Sequence, residues 1–251
     1  MLNIALVTCR RLPALADDDH LLRAELERRG ARVTAAIWDD PAVDWRAFDR
    51  VVLRSTWDYH TNIERFLAWV AAVPARLWNS REIVRWNAHK SYLVELAARG
   101  VNVVPTFTSA ADMPRLSDAR YVIKPAVSAT AYRTVLVKGA DLESTLATFD
   151  CDVLVQPYIA EIERGEWSLV FFRGEYSHAV FKRPKSGDFR VQSDFGGSVT
   201  AMAPPPALID DARAILAGID DTLYARVDGL EIGGRLLLME IELIEPVLFL
   251  A

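Results

Sequence analysis

The sequence predicts an α/β protein that opens with a doubly wound unit over residues 1–85 and continues as a strand-rich body. Three observations carry this expectation. Up to Val84, short apolar runs alternate with stretches of helical period. Beyond Tyr158 the apolar runs follow one another closely, with short glycine-marked breaks. No internal repeat or low-complexity tract interrupts either part.

Taken in order, Leu2–Val7 reads as a buried first strand. Leu21–Arg29 carries Leu22 and Leu26 on one helical face and stops at Gly30, and Val33–Ile37 completes a β-α-β unit. After the strand Val51–Arg54 comes Ser55-Thr56-Trp57-Asp58-Tyr59-His60, at the strand end where open α/β sheets place ligands. Ser55, Thr56, Trp57 and Asp58 are therefore candidate substrate contacts, with a structural loop as the alternative. Thr61 and Glu64 have capping-box spacing, and Ile63, Phe66, Leu67 and Val70 form an apolar stripe before Pro74. From Arg85 the pattern gives a helix capped by Asn87 and stopped by Gly100, then strands at Val101–Val104, Tyr121–Lys124 and Thr134–Val137. A helix from Asp141 to Phe149 and the strand Val153–Gln156 follow. Next come strands Trp167–Phe172 and Tyr176–Phe181, a loop with Gly187, Gly196 and Gly197, and a helix with Leu208, Ala212, Ile215 and Leu216 on one face. The last element is a hairpin, Leu223–Leu230 and Leu236–Leu243, turning at Ile232-Gly233-Gly234. The expected division is 1–85, 86–158 and 159–251.

Composition narrows the functional classes. The chain has 251 residues, 51% of them hydrophobic, so it can bury a sizeable core. Lys plus Arg number 29 against 34 acidic residues, a net charge of −5, so no global basic field recruits nucleic acid or anionic lipid. Cys9 and Cys151 are too few for a disulfide framework or a thiolate metal site, which fits a reducing cytoplasm. Leu2–Val7 is too short for a signal-peptide core and is followed by Arg10-Arg11. The most apolar later stretch, Leu236 to Leu250, is interrupted by Glu240, Glu242 and Glu245, well short of the ~20 apolar residues of a membrane span. The expectation is a soluble cytoplasmic protein with no membrane or nucleic-acid partner; whether it forms a homo-oligomer stays open.

Asp228, Glu240 and Glu242 interrupt otherwise apolar hairpin strands. With a three-residue loop at 232–234, Asp228 falls opposite Leu238 and Arg226 opposite Glu240, and all four charged residues share one face. Clustered carboxylates are tolerable when a divalent cation supplies the counter-charge, and oxygen-only ligands favour Mg²⁺ or Mn²⁺. The competing reading is a solvated face salt-bridged by Arg226 and Arg235. Lys124 ends the apolar strand Tyr121-Val122-Ile123-Lys124-Pro125 and is either a phosphate ligand or a lysine snorkelling from a strand end. The loop Ala126-Val127-Ser128-Ala129-Thr130-Ala131 is small-residued but glycine-free, a weak phosphate signal. P-loop, dinucleotide-fingerprint and nucleophile-elbow motifs are absent. His178, Lys182, Arg183 and Arg190 gather around a glycine-punctuated loop, as a polyanion site or a solvated charged face. His20, His60 and His89 lack zinc-site spacing.

Taken in order, Lys90, Lys124, Gln156-Pro157-Tyr158-Ile159, Glu166, Lys182, Arg190, Asp228 and Glu240-Ile241-Glu242 resemble the ATP-grasp superfamily, in the branch of prokaryotic glutathione synthetase. The segments Arg54 to His60, Lys124 to Ala129, Ser177 to Val180, Gly187-Asp188-Phe189-Arg190-Val191-Gln192 and Glu242-Leu243-Ile244-Glu245-Pro246 look most like the cycloserine-synthetase-like group. The resemblance implies an N-terminal α/β domain followed by a two-subdomain ATP-grasp fold that clamps the nucleotide. It implies Lys90 and Lys124 on the ATP phosphates, with Ser128 in the adjoining loop. Gln156, Tyr158 and Ile159 would hold adenine through the backbone, and Glu166 the ribose. Asp228, Glu240 and Glu242 match the magnesium ligands, with Glu242 where many relatives have Asn. Lys182 and Arg190 would neutralise the reacting carboxyl and phosphoryl oxygens, and Arg226 is a further candidate. The implied activity is Mg-ATP-dependent ligation of a small amino-acid-like carboxylate through an acyl phosphate, releasing ADP and phosphate. In the cycloserine branch the ligation is an intramolecular closure of O-ureidoserine. The glycine-poor loop and the short segment after Glu242 motivate a second reading, an ATP-binding sensor or scaffold without catalysis. A ligase that adds amino acids to a protein tail is a third, little supported by the acidic composition.

Overall fold

The computed structural model describes residues 1–109, 113, 117–185, 187, 190–191 and 196–250. The first unit is a four-stranded parallel sheet of β1 (Asn3–Thr8), β2 (Arg32–Ile37), β3 (Arg50–Ser55) and β4 (Arg76–Trp78), in the order β2-β1-β3-β4. The central strands β1 and β3 are buried almost throughout, which explains their unbroken apolar runs. Helix α1 (Asp17–Arg28) begins four residues earlier than its apolar stripe, because Asp17, Asp18 and Asp19 suit the positive end of the helix dipole. Helix α2 (Ile63–Ala72) is capped by Asn62, whose side chain accepts from the Arg65 N–H at 3.2 Å. The expected cap, Thr61, instead donates to the Asp58 carbonyl within a 3-10 turn. The edge strand β4 has only three residues and gave no periodic signal.

The helix expected to start at Asn87 is two helices, α3 (Arg81–Asn87), capped by Ser80, and α4 (Tyr92–Ala98). Asn87 ends α3 and is buried, so its polar group serves the tertiary structure and not a helix start. Val101–Val104 forms no strand; Val103 makes a single parallel bridge to Leu238. A three-stranded antiparallel sheet follows, β6-β5-β7, built from β5 (Arg120–Pro125), β6 (Val135–Lys138) and β7 (Val153–Pro157). Helix α5 (Leu142–Leu146) is shorter than the expected Asp141–Phe149, its first turn being 3-10 over Gly139–Asp141.

The last sheet is antiparallel, in the order β10-β9-β8-β11-β12: β8 (Glu166–Phe172), β9 (Glu175–Arg183), β10 (Ser198–Ala201), β11 (Tyr224–Ile232) and β12 (Arg235–Glu242). Helix α6 (Pro206–Ala217) lays Leu208, Ala212, Ile215 and Leu216 into the core with Leu93, Leu96 and the inner face of this sheet. The hairpin register departs from expectation. The turn is the two residues Gly233-Gly234, both with positive φ (+60° and +75°), so Ile232 pairs with Arg235. A bulge then leaves Met239 unopposed, and Asp228 faces Glu240 while Arg226 faces Glu242. Gly229 sits at this bulge, where a Cβ would lie 2.6 Å from the Leu237 carbonyl oxygen.

After β12 the chain returns across the N-terminal unit as a strap. The Trp57 indole donates to the Glu245 carbonyl (3.1 Å), Arg54 to the Pro246 carbonyl (2.9 Å), and Asp18 accepts from the Leu248 and Leu250 N–H groups. Arg54 is itself fixed by the buried carboxylate of Asp19 at 2.7 Å. Among the described residues, no helix is long and apolar enough to cross a membrane.

Candidate active site

A cavity of about 370 Å³ opens where the two antiparallel sheets meet α3, α4 and the strap. Every candidate ATP, metal or catalytic residue named from the sequence lines it: Lys90, Lys124, Ser128, Gln156, Tyr158, Ile159, Glu166, Lys182, Arg190, Arg226, Asp228, Glu240 and Glu242. Of the strand-end segment after β3, Trp57 and Tyr59 do. Ser55 is bonded to Asp19 and Asp58 to the Trp38 indole, so those side chains hold the fold instead. Asn87, Glu245, Val247 and Phe249 also line the cavity and were not anticipated. The three strap residues sit in an irregular segment; Glu245 belongs to the Glu242–Pro246 stretch that carries the resemblance, which implies no role for it.

Two polar side chains fix the middle of the site. The Tyr92 hydroxyl accepts from the Ile241 N–H (2.9 Å) and donates to its carbonyl (3.0 Å). The Asn87 amide donates to the same carbonyl (2.8 Å) and accepts from the Leu243 N–H (2.9 Å). Ile241 is buried, so strand alternation turns its neighbours Glu240 and Glu242 toward the cavity.

The charges are arranged in pairs. Lys90 Nζ is 2.9 Å from Glu240 and donates to the Ser128 carbonyl at 2.6 Å. Lys182 Nζ joins Glu166 (2.7 Å) to Asp228 (3.3 Å). Arg226 grips Asp228 at 2.9 Å and also binds Glu242, while the Ser168 hydroxyl donates to Asp228 at 2.6 Å. The salt-bridged reading of this face is thus half realised: Arg226 does bridge it, but Arg226 and Asp228 are buried and Glu240 and Glu242 half-buried, and Arg235 points away to Asp211 at 2.6 Å. Among the described residues, Lys124 has no hydrogen bond or ion pair; it faces the cavity and does not snorkel away. The basic cluster separates. Lys182 and Arg190 line the cavity, whereas His178 is tied to the Leu248 carbonyl (2.7 Å) and Arg183 lies over the Phe181 ring. Asp188, Phe189 and Gln192 of the segment around Arg190 lie outside the described residues.

These pairings set the protonation states. Burial works against ionised Asp228, but Arg226 and Lys182 outweigh it and hold the carboxyl well below its usual range. Glu240 is lowered too: burial is overcome by Lys90 and Lys124. Burial, reinforced by Asp228 and Glu240, pushes Glu242 up to about 7, because Arg226 offsets only part of it. Glu245 is pushed up to about 8 by burial and then by Glu242. Burial depresses Lys124.

The donor chemistry fits a hard divalent cation. Asp228, Glu240 and Glu242 offer only oxygens, and such an ion would offset the mutual repulsion that adds to burial in raising Glu242. In this structure the three carboxylates are held by Arg226, Lys182 and Lys90 instead. Among the described residues no three acidic, His or Cys side chains are arranged as a metal-ligand group.

An α/β unit followed by two antiparallel sheets that close on a charged cavity is the architecture of ATP-grasp enzymes. Its comparison with known proteins agrees. Residues 4–79 match the family described as the N-terminal domain of D-cycloserine synthetase DcsG. The chain is 32% identical over 278 aligned positions to the cycloserine biosynthesis protein DcsG of Streptomyces lavendulae, covering 97% of this chain and 91% of that one. The crystal structure of D-cycloserine synthetase DcsG superposes with a TM-score of 0.84 at 30% identity, covering 99% of this chain and 93% of the other. A D-alanine–D-alanine ligase from Bacillus anthracis, solved with ATP, shares the fold at a TM-score of 0.68 and 15% identity, over 97% and 87% of the two chains. The chain belongs to the cycloserine-synthetase-like family of the ATP-grasp superfamily, and it is an ATP-dependent ligase.

Proposed function

We propose that this ligase uses Mg-ATP to activate a small amino-acid-like carboxylate as an acyl phosphate, for amide formation or ring closure, with release of ADP and phosphate. The observation that carries this reading is Lys124, a half-buried ammonium with no partner among the described residues, facing a cavity that also holds Asp228, Glu240 and Glu242. A cation drawn partly out of water with no counter-charge in contact calls for an anion, and a phosphate chain supplies one.

In this reading the adenine lies against the end of β7. The Tyr158 N–H is donated to the Arg120 carbonyl, so a donor to the base comes from Ile159. Glu166 receives the ribose while keeping Lys182 in place. Lys90 and Lys124 hold the phosphates, with Ser128 setting the loop above them. Asp228, Glu240 and Glu242 hold Mg²⁺ or Mn²⁺, which supplies charge neutralisation between the phosphate and carboxylate anions when bound.

The substrate carboxylate oxygen attacks the γ-phosphorus and the bond to ADP breaks. Lys124, Lys182 and Arg190 neutralise the oxygens that gather charge. A nitrogen then attacks the acyl carbon, phosphate leaves, and the nitrogen loses its proton. In ring closure that nitrogen belongs to the same molecule, as with O-ureidoserine. Arg226 orients Asp228 and Glu242 throughout. ATP as cosubstrate puts the reaction in the cytoplasm.

The test is product analysis with Mg-ATP and O-ureidoserine, extended to a panel of small amino acids. ADP and phosphate formed only with substrate support the proposal. AMP and pyrophosphate would sink it. Tight ATP binding with no turnover on any carboxylate would favour a non-catalytic sensor or scaffold.

A further inference from the structure

Among the described residues, two charged side chains of the cavity have neither a hydrogen bond nor an ion pair: Lys124, assigned above to phosphate, and Glu245. Glu245 is 8% exposed, and its carboxylate is the only cavity acid among the described residues without a cation in contact. A buried carboxylate without a partner is costly, so Glu245 is held in its neutral form in the free protein, and a cationic ligand is what would draw out its charge.

The strap holds this group rigidly. Trp57 binds the Glu245 carbonyl, Arg54 the Pro246 carbonyl, and Arg226 the Val247 carbonyl at 3.0 Å. Alternate residues Glu245, Val247 and Phe249 thereby face the cavity, with the Trp57 ring beside them. One carboxylate set among aliphatic and aromatic surface suits an organic ammonium, which needs a single strong acceptor and gains from a nearby π-face. A divalent ion would seek several oxygens, and the neighbouring carboxylates Glu242 and Glu240 are already held by Arg226 and Lys90.

We propose that Glu245 binds the α-ammonium of the substrate, so that the strap selects amino acids over hydroxy acids of the same shape. This rests on the ligase reading above: the substrate carboxylate meets the phosphates near Lys124, and the amino group reaches the opposite charge.

The experiment is thermal unfolding of the full chain, first with Mg-ADP, then with either enantiomer of O-ureidoserine or its 2-hydroxy counterpart added. Wild type and Glu245→Gln, which keeps the shape and cannot ionise, are compared. Both proteins should show the same Mg-ADP shift. The amino acid should add a further shift in wild type that needs at least a tenfold higher concentration in Glu245→Gln, and the hydroxy acid should add little to either.

Equal amino-acid binding by the variant overturns the proposal, as does a hydroxy acid that binds wild type as well as the amino acid does. A variant that loses the Mg-ADP shift would make Glu245 a metal or nucleotide residue. The amino-versus-hydroxy comparison in wild type needs no variant, so a Glu245→Gln protein that failed to fold would still leave the proposal open to refutation. An absent Mg-ADP shift in wild type would instead sink the ligase reading from which the proposal starts.

Discussion

Lys90 and Glu240 meet at 2.9 Å in the cavity wall, and the same ammonium reaches the Ser128 carbonyl at 2.6 Å. One side chain thus couples a candidate metal ligand on β12 to the loop that follows Lys124. Removing the cation leaves the half-buried Glu240 without its ion-pair partner, a loss of about 1–3 kcal/mol. Lys90→Met should therefore lower the urea midpoint clearly. Added Mg²⁺ should recover part of the loss, since it offers Glu240 a replacement charge. A midpoint unchanged by the substitution, or unresponsive to Mg²⁺, would remove this coupling.

Glu240→Gln keeps an acceptor for Lys90 and loses the negative charge. Folding should be nearly intact while Mg-dependent nucleotide binding disappears. At ~100 times its Kd, a ligand of the native state adds about 2.7 kcal/mol. Wild type should show a shift of that size with Mg-ADP, and the variant should not. Full Mg-ADP affinity in Glu240→Gln would mean that Glu240 is not a metal ligand.

Lys124→Met makes stability and binding move in opposite directions. The ammonium has no partner among the described residues and burial depresses its pKa, so an apolar replacement should leave stability unchanged or higher. Nucleotide affinity should fall at least tenfold. A lysine that merely packed at a strand end would leave binding untouched, and isothermal titration with Mg-ADP separates the two outcomes.

Much of this site was legible because its residues are chemically conspicuous. Carboxylates in apolar strands and a lysine at a strand end stand out, and their order along the chain carried the resemblance. What escaped was set by tertiary context. The register of β11 against β12 depended on a two-glycine turn and a bulge at Met239, which residue pattern cannot count. Asn87 looked like a helix cap because its chemistry suits one, yet it spends both amide groups on Ile241 and Leu243, far along the chain. Glu245 lies in a segment without secondary structure, so its place in the cavity follows only from what Trp57 and Arg54 do to the backbone around it.

Asn87→Ala tests that positioning. It strands the buried Leu243 N–H, while the Ile241 carbonyl keeps the Tyr92 hydroxyl, and an unsatisfied buried group costs about 1–3 kcal/mol. For a chain of this size, every 1 kcal/mol moves Tm by about 2–4 °C. Because Ile241 lies between Glu240 and Glu242, Mg-ADP affinity should fall as well, although Asn87 is assigned to neither metal nor nucleotide. A lower Tm with unchanged Mg-ADP affinity would show that Tyr92 alone suffices to hold the carboxylates in place.

His60 offers a reporter of cavity charge. Its ring lies 5.2 Å from the Tyr132 ring, and Nδ1 is buried without a hydrogen-bond partner. Burial, then the positive charge of Lys90, holds its pKa below the usual 6.5; Arg11 adds to this, while the Trp57 backbone and Asp58 work the other way. The sign follows from linkage. A histidine depressed in the folded state favours folding above pH 6.5, and that contribution is lost as pH falls through the lower folded value. An NMR titration should give a midpoint below 6.5 for the free protein. Mg-nucleotide should raise it, because phosphate charge beside Lys90 offsets the cation that disfavours protonation. A midpoint at or above 6.5 would contradict the buried, cation-facing environment. A midpoint that does not move with saturating Mg-ADP would mean that the phosphates do not bind beside Lys90.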